Sequence, residues 1–107
     1  MEHYDFAVIN YHVEGKLVFF CTDPSEIDTM LSQLKPLFPK LYLAEKNNLP
    51  SGEMYFCKIK GLSYRDLDVS WWLIKQLCLR GWEPLGGDGG GQLAPYYMVY
   101  QFKRKSL

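Results

Sequence analysis

Apolar and polar positions alternate first with a period of two. Tyr4 to Val13 (Y-D-F-A-V-I-N-Y-H-V) is rich in β-branched and aromatic residues and sets Phe6 and Val8 opposite Ala7, Ile9 and Tyr11, which predicts a strand. Glu14-Gly15 supplies a two-residue turn, with glycine free to take a positive φ. Lys16 to Cys21 (K-L-V-F-F-C) returns as a second strand, its apolar run fitting burial on both faces or a central place in the sheet. The period then changes. Asp23-Pro24-Ser25-Glu26 sets an N-cap acid, proline at the first helical position and glutamate at the third, and Ile27, Met30, Leu31 and Leu34 follow at helical spacing. Pro36 predicts an end near Lys35.

Lys40 to Glu45 and Glu53 to Lys60 read as a third and a fourth strand around a loop at Asn47–Gly52. A second helix follows, with Ser63, Asp66 or Asp68 as its cap and Gly81 as its stop. Trp82 to Leu85 is a short fifth strand, Gly86 to Pro95 a flexible loop, and Tyr96 to Arg104 a sixth strand. The order ββαββαββ predicts one α+β domain over residues 1–107, a mainly antiparallel sheet of about six strands with two helices on one face. Two explanations fit its symmetry: an internal repeat of two strand-helix-strand-strand units that share the strand ending Y-F-C-K-I-K as a central strand, or convergence of the two halves on a common pattern.

The second helix carries more apolar surface than one sheet face needs. At ~100° per residue, Leu67, Trp71, Leu73, Ile74, Leu77 and Cys78 fall on one arc, and this marks Trp71 as a core residue. Val69, Trp72 and Leu79 lie outside that arc, with Gln76 beside them. Two explanations fit: the first helix packs against this back face, or it is kept for a partner. On the second, Val69, Trp72, Gln76 and Leu79 form a protein-binding patch anchored by tryptophan.

Twelve basic and twelve acidic residues give a net charge of zero, which argues against a dedicated DNA-binding domain but leaves room for a local basic patch. Lys58, Lys60, Lys103, Arg104 and Lys105, with Tyr97, supply one. Three cysteines, each inside an apolar run and without metal-ligand spacing, read as free buried thiols of a reducing compartment. No signal peptide and no apolar run of ~20 residues is visible, so the expected location is cytoplasmic or nuclear.

Ile74, Leu77, Gly81, Trp82 and Glu83, followed by Phe102, Lys103 and Arg104, carry a family resemblance. Residues 54–104 resemble a small bacterial domain family of unknown function. Its helix ends in Leu-x-x-Leu-x-x-x-Gly-Trp-Glu and its closing strand in Phe-Lys-Arg. A similar element occurs in raftlin-type proteins. Pro84, Trp71 and the glycine-rich insertion depart from that pattern. The resemblance implies a fold in which Gly81 and Trp82 fix the helix-to-strand corner, and it implies no catalytic residues.

Gly86 to Gly91 is no phosphate loop, because it joins two predicted strands and lacks a Gly-Lys-Ser/Thr ending. His3 and His12 do not share a metal-ligand spacing, and no Ser-His-Asp or Cys-His arrangement is visible. The sequence therefore predicts no enzyme, metal or cofactor. It predicts a non-catalytic interaction module, an adaptor or complex subunit that binds another protein or its own copy as a dimer. The alternative is a domain that binds RNA or another single strand through an aromatic sheet face and its basic C-terminal strand.

Overall fold

The computed structural model describes residues 3–12, 15–44, 46–61, 68–85, 90–94 and 97–106. Strand β1 (Tyr4–His12) and β2 (Lys16–Cys21) form a hairpin in which Ala7 faces Cys21 and His12 faces Lys16. Helix α1 (Pro24–Leu37) follows, then the short strands β3 (Tyr42–Leu43) and β4 (Asn47–Asn48), and then β5 (Tyr55–Lys60). The second half runs through α2 (Asp68–Leu79), the short strands β6 (Glu83–Pro84) and β7 (Gly90–Ala94), and β8 (Tyr97–Lys105). The sheet order is β3-β5-β2-β1-β8-β6, with β4 on β5 and β7 on β8, and every described pairing is antiparallel.

This is the expected α+β architecture with more strands than the pattern predicts. Asn47–Asn48 and Gly90–Ala94 pair with β5 and β8 where loops were expected. Ladder hydrogen bonds are main-chain bonds, so asparagine and glycine can join an edge despite low strand propensity. The remaining glycine-rich positions 86–89 lie outside the described residues, as do Ser63, Asp66 and Leu67.

The two halves share a strand arrangement, but not through the expected shared strand. Helix α1 is followed by β3 on the C-terminal part of β5 and β4 on its N-terminal part. Helix α2 is followed by β6 on the C-terminal part of β8 and β7 on its N-terminal part. Strand β5 then lies beside β2, and β8 beside β1. The centre of the sheet is the β1–β2 hairpin, and β5 is not a shared central strand.

Alternation divides each strand between two faces. Ala7, Ile9, Tyr11, Leu17, Phe19, Cys21, Cys57, Ile59 and Phe102 point to one face and join the buried residues of both helices in a single core. From α1 come Ile27, Met30 and Leu34. Asp23 caps that helix by accepting from the Ser25 amide at 3.0 Å. The helix runs past Pro36 to Leu37, because a proline in the last turn removes one amide and Phe38 N–H still reaches Leu34 O at 2.9 Å.

Helix α2 sits about a quarter turn away from its expected orientation. Val69, Leu73 and Leu77, spaced by four, are buried with Ser70, while Trp71, Lys75, Cys78 and Leu79 face outward. Gly81 ends it at φ +90, with Trp82 N–H bonded to Leu77 O at 2.9 Å and Gly81 N–H to Cys78 O at 3.2 Å. That paired closure needs a left-handed residue, and Trp82 packs into the core with Leu77 beneath it. Among the described residues, no helix is long and apolar enough to cross a membrane.

Candidate functional site: the uncovered sheet face

Both helices cover the same face, so the other side chains of the four long strands form a second surface that no described helix covers. Register assembles it in rows. Asn47, Phe56, Phe20, Val8 and Gln101 lie abreast from β4 to β8, and the next row runs Lys58, Val18, Asn10, Val99. Beyond it, Tyr42, Lys60 and Lys16 lie abreast. Toward the other end, Phe6 pairs with Lys103, and Tyr4 with Lys105. The Phe20 and Phe56 rings are 5.9 Å apart between centroids and tilted by 40°. Val8, Val18, Phe20, Phe56 and Val99 are half-buried and Phe6 is exposed.

Lysines rim this apolar centre at two opposite corners. Lys16, Lys58 and Lys60 are exposed at one, and no carboxylate among the described residues pairs with them. Lys103 and Lys105 stand at the other, with Lys103 Nζ 5.2 Å from the centre of the Tyr4 ring. Glu83, opposite Lys103 in β6, is the one acid that register sets on this face among the described strands. Asp23, Glu26 and Asp28 lie on the helical side, in α1 or at its cap. Among the described residues this face is therefore basic, although the formal charge of the chain is zero.

Arg104 leaves the predicted patch. Alternation turns it to the helical side, where Nη1 donates to Glu26 Oε1 at 3.1 Å and Nη2 to Asp23 Oδ2 at 3.4 Å, and its guanidinium stacks 4.5 Å from the Trp82 ring centre. Lys58, Lys60, Lys103 and Lys105 share the open face as expected. Tyr97 stands in β8 opposite His12.

Glu26, expected to cap its own helix, is instead a cross-link and was missed. Only 2% exposed, it accepts from Arg80 Nε at 2.8 Å and Nη2 at 2.6 Å as well as from Arg104. It ties the start of α1 to the end of α2 and to β8. Burial alone would raise its pKa, but the hydrogen bonds and charges of Arg80 and Arg104 outweigh burial and hold the carboxyl below the usual range. A glutamate three residues after a cap carries no sequence mark that separates these roles.

The helical patch changes membership. Val69 is 1% exposed and belongs to the core, Trp72 is half-buried against it, and Gln76 is half-buried. Trp71, assigned to the core by the helical count, is 65% exposed, and Leu79 is 70% exposed. A 100° count gives relative angles only, so one wrongly chosen centre exchanges Trp71 with Val69. Trp82 and Gly81 keep their structural places. Cys21 and Cys57 are buried, which pushes their thiols up to about 12, and Cys78 is exposed on the outer side of α2. No protein-family model matches this chain, and neither do any curated proteins or solved structures.

Proposed function

We propose that the protein is a non-catalytic binding module that takes an extended anionic partner on its uncovered sheet face. The observation that carries this reading is the rim of five lysines around Phe6, Phe20 and Phe56 in a chain whose formal charge is zero. Apolar side chains shield the lysine field from water at the centre, and the charged corners steer an anion toward it. The free cysteines Cys21, Cys57 and Cys78 fit work in the cytoplasm or nucleus. On immobilised heparin, a polyanion without aromatic groups, the wild type should elute at clearly higher salt than a K16E/K58E/K60E variant. All three lysines are exposed, so that variant should keep its fold. Coincident elution of the two proteins would remove this surface from consideration.

A second reading rests on a separate observation, the exposure of Trp71 and Leu79 beside Cys78 on α2. A solvent-facing tryptophan with an exposed leucine two turns along the same helix is the anchor chemistry of a protein contact or of self-association, which would make the module an adaptor. Light scattering across protein concentration should then show wild type heavier than Trp71→Ala at the top of the range. Equal masses at every concentration would count against self-association through this face.

A further inference from the structure

We propose that the partner of the uncovered face is a single strand of nucleic acid, bound with its bases on the phenylalanine rings and its phosphates at the two lysine corners. This rests on the reading of that face given above and decides between the two extended anions that could occupy it, a nucleic acid strand and an acidic peptide.

The chemistry of the face matches the first. A nucleotide brings one negative charge and one flat aromatic ring, and the face offers five lysines and, with Tyr4 and Tyr42 beside the three phenylalanines, five rings. Phe20 and Phe56 are neighbours on adjacent strands, and Phe6 lies two residues along from Val8, which is abreast of them. Successive bases can stack on such a platform because every base has a π-face. An acidic peptide would satisfy the lysines alone. Its carboxylates would lie against ring faces whose quadrupole is negative, an unfavourable meeting.

The distances also suit a strand. From Lys58 to Lys103 the face is crossed by three inter-strand steps of ~4.8 Å and four residues of ~3.3 Å, about 20 Å in all. A few nucleotides cover that path, so a short strand can meet both corners at once. Lysines act as point charges and hold phosphate without demanding one geometry. The carboxamides of Asn10 and Gln101 stand beside the rings and can meet base edges. A rigid duplex keeps its bases stacked inside and cannot use the rings, so the face should prefer single strands.

The test uses the full chain with fluorescent twelve-residue oligothymidylate and oligouridylate, a DNA duplex of the same length, and poly-L-glutamate of matched charge. Substituting Phe6→Leu and Phe20→Leu keeps apolar bulk while removing the rings. Single strands should bind more tightly than duplex and poly-L-glutamate, with log K falling against log salt at a slope of about −2 to −3.5, corresponding to about three to five phosphate contacts. Each leucine substitution should weaken single-strand binding by roughly tenfold. Should poly-L-glutamate bind as well as the oligonucleotides, with the leucine variants indifferent, the strand assignment falls while the sheet-face reading stands. Should nothing bind, or should K16E/K58E/K60E bind oligonucleotide as well as wild type, the sheet-face reading falls and the strand assignment with it.

Discussion

Replacing Glu26 by glutamine should cost the fold about 3 kcal/mol, read from urea denaturation at pH 7. The side chain is 3% exposed and accepts from two arginines on different elements. Removing its charge leaves Arg80 and Arg104 facing each other with, among the described residues, Asp23 at 3.4 Å from Arg104 to compensate. Breaking a buried ion pair from one side usually costs ~3–5 kcal/mol. The lower figure is expected here, because the Arg80 side chain is about one-third exposed and keeps part of its hydration. The pH dependence has a definite sign. Glu26 is more acidic folded than unfolded, so the unfolded chain takes up this proton first as pH falls. Its contribution is complete above the usual glutamate range near ~4.3 and drains away as pH drops through the lower folded value. Glu26→Gln should therefore show a flatter stability profile between pH 6 and pH 3. A loss below ~1 kcal/mol at pH 7 would mean that packing alone joins the two helices.

Trp82→Ala should be comparably severe, about 4 kcal/mol, whereas Trp71→Ala should stay within about 0.5 kcal/mol. Trp82 is 2% exposed, lies in the core with Leu77, and carries the Arg104 guanidinium on its ring. Truncation leaves a large cavity and strips one side of a partly buried arginine. Trp71 has two-thirds of its surface in water. Denaturation curves of the two variants distinguish these outcomes directly, and equal losses would contradict the orientation of α2 described above.

Local rules made the fold legible. The alternation of Phe6 and Val8 against Ala7, Ile9 and Tyr11 assigns the two faces of β1 correctly, and Asp23, Pro24 and Gly81 mark helix ends where they occur. These signals reside in the chemistry of a few neighbouring residues. What the sequence does not disclose depends on partners far along the chain. Strands β4 and β7 exist because β5 and β8 lie beside them, not because asparagine and glycine favour extension. The rotation of α2 follows from the core it meets, so Val69 and Trp71 exchange expected roles. Lys16, absent from the expected patch, joins Lys58 and Lys60 because β2 and β5 have the same phase, which counting along one strand cannot reveal. Arg104 departs by a single position in the alternation.

The β1–β2 hairpin lies at the centre of the sheet although it precedes the other described elements along the chain. During synthesis, the middle strands emerge before either flank. The β2 side can be closed early, once α1 and β5 are made. The β1 side stays bare until β8 arrives, since Tyr4 must find Lys105. Such distant pairing makes folding slow, on the scale of milliseconds to seconds. Meanwhile β1 offers unpaired amides and carbonyls to any passing strand. The lysine-bearing strand β8 is thus also the cover that ends the chain's exposure to misassembly.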